Sequence, residues 1–151
     1  MSSHFRDKNT RRVFLCASAA VGMTLGCVAN TSGSDPETFG SVSAGNVSNL
    51  PVGTLRVLAG APAFIGRDAG GLYAMTSTCT HAGCDMAVDG NVTSSGVLCG
   101  CHGSRFDANG DVVSGPANAP LAHFAVAIDA AGNVTVDGGS KVSASTRTAV
   151  S

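Results

Sequence analysis

The chain has 151 residues and a net charge of −1, with 13% charged residues, 20 glycines, one tyrosine and no tryptophan. That length holds one ordinary domain and little else. The charge balance leaves no basic stripe and excludes the electrostatic footprint of a nucleic-acid binder, while glycine-rich turns between short apolar runs point to an all-β architecture.

Taken in chain order, residues 1–29 stand apart. A polar, basic start ends in Arg11-Arg12, and an apolar run follows from Val13 to about Val28. At about sixteen residues, softened by Ala, Gly, Ser and Thr, it falls short of the roughly 20 that a bilayer span needs. It suits the apolar region of a signal peptide instead. Thr10-Arg11-Arg12-Val13-Phe14-Leu15 resembles a twin-arginine export signal, a receptor-read address for folded cargo. Leu25-Gly26-Cys27 resembles the end of a bacterial lipobox, whose cysteine would carry a lipid; cleavage after Ala29 is the rival. Either outcome places the mature chain in the periplasm or on the outer face of a bacterial cytoplasmic membrane. It would also leave five basic against nine acidic residues, a mildly acidic and soluble surface.

Residues 30–50 are rich in Ser, Gly and Asn and read as a flexible linker. The domain is expected over 51–139, opening with strands at 54–60 and 61–68, a turn at 68–71, and a returning strand at 71–77. That strand delivers the chain to CTHAGC, Cys79 to Cys84. An Asp-Gly turn at 89–90 and an apolar step at Val97-Leu98 lead to CGCHGSRFD, Cys99 to Asp107. A turn at 107–110 and a loop at 115–120 holding Gly115-Pro116 follow. The clearest hairpin spans 122–138, where Phe124, Val126 and Ile128 alternate with Ala125, Ala127 and Asp129. His123 in its first strand reads as a surface or satisfied histidine. Residues 140–151 read as a polar C-terminal tail, and no run has the length and period of an amphipathic helix.

The two cysteine-dense stretches each offer one Cys and one His as ligands: Cys79 with His81, and Cys99 with His102. A structural zinc site accepts two of each, but it usually pairs like ligands at short spacing, and here each stretch mixes them. A copper site wants a single dominant cysteine, which four cysteines fit poorly. In a Rieske cluster two cysteines hold one iron and two histidines the other. Two loops can each reach both ends of such a pair only if each contributes one Cys and one His, which is the order found.

CTHAGC, CGCHGSRFD and the loop SGPANAPL (114–121) together are similar to the Rieske [2Fe–2S] family, and within it to the high-potential branch of cytochrome bc and b6f complexes. The resemblance covers about residues 54–138. It implies a fold of small antiparallel sheets with one [2Fe–2S] cluster held between two loops at one end. It further implies Cys79 and Cys99 on the buried iron, His81 and His102 on the outer iron, and a disulfide between Cys84 and Cys101. Three residues would set the potential: Ser104 as donor to a bridging sulfide, Phe106 where the highest-potential members carry a tyrosine donor, and Pro116 in the covering loop. Without that donor the potential is expected below the tyrosine-bearing members, yet in the upper part of the ~ −150 to +300 mV Rieske range. Ala82 replaces the leucine that packs against cytochrome b in bc complexes, a departure that weakens that assignment.

The function so implied is one-electron transfer in an envelope or respiratory chain, with a cytochrome or oxidoreductase subunit as redox partner and quinol as a candidate donor. The carrier is either free-standing or the iron–sulfur subunit of a quinol-oxidising complex. The alternatives are the Rieske small subunit of another exported oxidoreductase, such as arsenite oxidase, and a structural zinc domain. No nucleophile–base pair stands in the sequence, and no turnover of substrate by the chain alone is expected. Membrane attachment would run through Cys27 or the N-terminal segment.

Overall fold

In the computed structural model of the protein, residues 38–151 are described. The expected export signal, with Arg11-Arg12 and Cys27, lies outside them. The described chain forms ten strands: β1 (Ser41–Asn46), β2 (Thr54–Val57), β3 (Ala63–Asp68), β4 (Gly71–Thr76), β5 (Gly90–Thr93), β6 (Gly96–Cys99), β7 (Arg105–Asp107), β8 (Val112–Ser114), β9 (His123–Ile128) and β10 (Asn133–Val142). One helical turn, α1 (Met86–Asp89), precedes β5. Among the described residues no helix is long and apolar enough to cross a membrane.

The strands make two sheets. The larger has the order β1-β10-β9-β4-β3-β2, and the smaller the order β5-β6-β7-β8. All pairings are antiparallel. β3 and β4 lie centrally in the larger sheet with apolar cores on both faces. Ile65, Leu72 and Ala74 enter one core with Leu50, Leu58, Phe124, Val134 and Val136. Their alternating neighbours Phe64, Tyr73 and Met75 enter a second core with Cys79, Met86, Val97, Cys99, Phe106 and Leu121. A strand buried on both faces reads as a continuous apolar run, which is what AFI and GLYAM present. The larger sheet curls enough for its edge strands to be bridged by a side chain: Arg56 on β2 donates 3.1 Å to the Ala44 carbonyl on β1. The second core joins this curled sheet to the smaller one.

Two boundaries differ from expectation. Residues 41–50, assigned to a linker, instead form β1 and a 3-10 turn at Val47–Asn49. β1 is an edge strand in which only Ala44 is fully buried, so it carries no alternating apolar signal. Its place is set by its ladder to β10. Residues 140–151, read as a tail, finish β10 and then return to bridge Leu72 through Thr148. That return is held by polar bonds, which hydrophobic patterning does not register.

Candidate metal centre

β4 and β6 each end at a cysteine-bearing loop, and the two loops are built alike. In the first, the Cys79 N–H donates to the Cys84 carbonyl at 2.8 Å and the Gly83 N–H returns to Cys79 at 2.8 Å. In the second, Cys99 N–H donates to Ser104 at 2.8 Å and Gly103 N–H returns to Cys99 at 3.0 Å. Each is a six-residue turn closed by the same two bonds, with glycine fifth at φ +75° and +77°. L-residues avoid that region, so glycine supplies the reversal. Asp85 anchors the exit of the first turn, accepting from Ser77 Oγ at 2.7 Å and from the Ala87 N–H of α1 at 2.9 Å.

The arrangement sorts side chains by chemistry. Cys79 and Cys99 are 2% and 1% exposed and belong to the same buried core. His81 and His102 are exposed, with ring centroids 4.8 Å apart and planes near perpendicular. Cys84 and Cys101 form a disulfide that ties the end of the first turn to the middle of the second. Cys84, Cys99 and Cys101 place their sulfurs within 4.8 Å of one another, but two of these are bonded to each other and hold no thiolate to offer. Cys99 alone of the three remains as a ligand.

The donor set can be tested against a metal. Burial pushes the Cys99 thiol up and the neighbouring Cys79 adds to this, while the N–H groups of Cys101 and His102 work against the rise. A thiol placed like Cys99 ionises readily only beside a compensating positive charge. A metal centre supplies that charge and deprotonates its thiols outright. The residues therefore fit a centre that takes sulfur on its inner side and imidazole on its outer side.

Of the sequence-predicted tuning residues, Ser104 ends the second turn, Phe106 follows it on β7, and Pro116 lies on the loop bonded to Ser104. Ser104 is fully buried, and its Oγ accepts a 3.1 Å bond from the Ala117 N–H in the 115–120 loop, which leaves its own proton to donate. Gly115 lies so close to Ser104 that a Cβ there would overlap its backbone. Phe106 is buried and belongs with Cys79 and Cys99 to the second core. Pro116 is exposed on the loop. Sequence reasoning missed Thr80, whose hydroxyl donates 2.7 Å to the Ala119 carbonyl and pins that loop to the first turn. It also missed the likeness of the two turns, although the shared Cys-x-x-x-Gly spacing could have disclosed it. His123, expected at the surface or satisfied, is 2% exposed and bonded through only one ring nitrogen.

A curled antiparallel sheet, a small second sheet and two adjoining turns that pair thiols inside and imidazoles outside describe a binuclear iron–sulfur protein of mixed ligation. Residues 41–125 match the Rieske [2Fe-2S] domain, more than half of the chain. The chain belongs to that family, and its cofactor is a [2Fe–2S] cluster. The structural-zinc alternative falls with that assignment.

The cytochrome b6-f complex iron-sulfur subunit of Prochlorococcus marinus (strain MIT 9211) is 39% identical over 95 residues, 58% of this chain and 52% of that protein. The same subunit of Synechococcus sp. (strain WH7803) is 36% identical over 105 residues, 66% of this chain and 58% of that protein. The chain thus spans about half the length of the curated relatives it matches. Among solved structures, the cyanobacterial plasma membrane Rieske protein PetC3 from Synechocystis PCC 6803 superposes with a TM-score of 0.50 at 28% identity, covering 64% of this chain and 98% of that one. A chain from the complex of oxygenase and ferredoxin in carbazole 1,9a-dioxygenase gives 0.51 at 28%, covering 68% and 95%.

Proposed function

We propose that this chain is a one-electron carrier at the outer face of a bacterial membrane or in the periplasm, passing electrons to and from a redox partner protein across its histidine edge. Cys79 and Cys99 would hold one iron, and His81 and His102 the other. The observation that carries the reading is the sorting of ligands, with the two thiols buried together and the two rings exposed together. When bound, the cluster supplies a one-electron couple.

The protein's own residues then divide the work. Burial of Cys79 and Cys99 keeps water from the sulfur side. Exposure of His81 and His102 brings the outer end within reach of a partner, and the ring N–H left over after ligation is the atom a quinol or a partner group can meet. Ser104 Oγ accepts from the Ala117 N–H and keeps its own proton; it would donate that proton to a sulfur of the bound group and so favour the reduced, more negative state. Phe106 fills its place without a donor, and the 115–120 loop with Pro116, bonded to both turns, would cover the bound group. The likeness to b6-f iron–sulfur subunits supports membrane association and a cytochrome-type partner. Ala82 at the exposed tip favours a carrier that does not use the leucine contact of bc complexes. The arginine pair at 11–12 and the lipobox-like Cys27 support export and attachment.

The test is direct. The purified chain should be red-brown, contain about two irons and two acid-labile sulfides per molecule, and give a paramagnetic resonance signal only on reduction. Cys79→Ser or His81→Ala should abolish that signal. A colourless protein with one divalent ion per chain would refute the proposal.

A further inference from the structure

The last residues of the chain run back across β4. Thr148 and Leu72 exchange two backbone bonds of 2.9 Å, and Thr148 Oγ1 donates 2.6 Å to Val126. Between β10 and this bridge stands Arg147, whose guanidinium is engaged on every side. Its Nε bonds Asp68 at 2.6 Å, its Nη1 bonds the Ala144 and Thr146 carbonyls, and its Nη2 bonds Asn109 Oδ1 at 2.7 Å. Its face lies 4.3 Å over the Tyr73 ring. Only a planar fork can meet so many partners at once.

Asn109 is the centre of the turn 107–111 that joins β7 to β8. Three successive carbonyls of that turn are taken by donors that do not belong to the smaller sheet. Ala108 receives the Tyr73 hydroxyl at 2.7 Å, Asn109 the His123 Nε2 at 2.8 Å, and Gly110 the Leu121 N–H at 2.9 Å. A carbonyl only accepts, so His123 Nε2 carries the proton. Leu121 closes the 115–120 loop, whose Ala117 and Ala119 are bonded to Ser104 and Thr80 at the cysteine-bearing turns. Hydrogen bonds linked by short stretches of backbone therefore lead from Arg147 to the 115–120 loop.

We propose that residues 143–148 form a strap, fastened by Arg147, which positions the 115–120 loop over the cluster-binding turns by holding the turn 107–111. The strap lies outside the residues matched to the family. Arg147 is a positioning residue here, acting through Asn109 and Leu121 on the orientation of Ser104. The proposal rests on the cluster reading above.

The experiment uses the full chain with its cluster. Arg147→Ala and Asn109→Ala are compared with wild type by peptide-resolved hydrogen exchange and by redox titration. Arg147→Ala should raise exchange at least tenfold in 143–148, in 107–111 and in 117–121 together, and move the midpoint potential downward as Ser104 loses its fixed orientation. Asn109→Ala, which leaves Arg147 its Asp68 and Tyr73 contacts, should loosen 107–111 and 117–121 while 143–148 stays protected, with the same downward shift. Exchange confined to 143–148 in the arginine variant, or a potential unchanged in both variants, overturns the proposal. Wild-type protein without iron or a resonance signal would instead be a failure of the cluster reading.

Discussion

Phe106 is where one atom should matter most. Its ring is buried in the same core as Cys79 and Cys99, in register between Val97 and Val112. A phenyl ring packs there but donates nothing. A tyrosine hydroxyl there would add a donor to the core that holds Cys79 and Cys99, and a donor to sulfur favours the more negative, reduced cluster. Phe106→Tyr should therefore raise the midpoint potential; an unchanged or lower value in a redox titration would remove Phe106 from the tuning set. Phe106→Ala serves as the contrast. It opens a cavity in the core at a cost of about 3–5 kcal/mol, seen as a lowered denaturation midpoint. Gly83 and Gly103 are a second residue-scale case. A Cβ on either would meet nothing within 4 Å, so substitution by alanine costs only the unfavourable positive φ, roughly 1–2 kcal/mol each. Similar losses in the two variants, measured by chemical denaturation, would confirm that the two turns are equivalent parts.

At the scale of elements, the turns depend on the bond between them. The Cys84–Cys101 disulfide closes a chain segment with a sequence separation of 17. Closing a loop of that length stabilises the fold by about 3 kcal/mol through the entropy of the unfolded chain. Cys84→Ser with Cys101→Ser should cost about that much in stability and release the cluster faster under chelator than in wild type, followed by loss of absorbance. Equal rates would mean that the turns are held by their backbone bonds and the 115–120 loop alone. How far these elements could be read from sequence follows from what holds each of them. β3 and β4 announce themselves because they are buried, β9 because its apolar residues alternate, and the candidate ligands because Cys and His are rare and grouped. The bridging role of Cys84 and Cys101 came from resemblance, since spacing alone assigns no partner. β1 stayed hidden because an edge strand with one buried alanine has no pattern, and the strap because Arg147 and Thr148 work through single polar bonds to residues far along the chain. Thr80 was overlooked because a hydroxyl between two ligands looks like filler until the Ala119 carbonyl is seen opposite it.

At the scale of the whole molecule, the join between the two sheets contains a group that acid can reach. His123 is buried in the first strand of the 122–138 hairpin, Nε2 on the Asn109 carbonyl and Nδ1 without a partner. It is stacked against Tyr73 at 6.0 Å. Burial holds its pKa below the ordinary histidine value; the Asn109 bond opposes this, Arg147 from the C-terminal segment adds to it, and Asp111 from the turn opposes it. The folded protein thus binds the proton more weakly than the unfolded chain. The stability His123 contributes is complete above about pH 6.5, the unfolded value, and is lost as pH falls toward the lower folded value. Asp68 follows in a separate window. Burial raises its pKa, but the bonds from Arg147, Gly70 and Gly71 outweigh that and hold the carboxyl below its usual range. Its contribution is accordingly lost only below about pH 4. Wild type should therefore lose thermal stability in two steps on acidification. His123→Gln keeps an N–H that can reach the Asn109 carbonyl but cannot titrate. It should be somewhat less stable at pH 8 because its packing on Tyr73 is poorer, and should show a flatter melting temperature between pH 7 and 5. His81 and His102 are unchanged in that variant, so whatever they contribute cancels in the comparison. Parallel curves for the two proteins over that interval would show that the join between the sheets does not titrate.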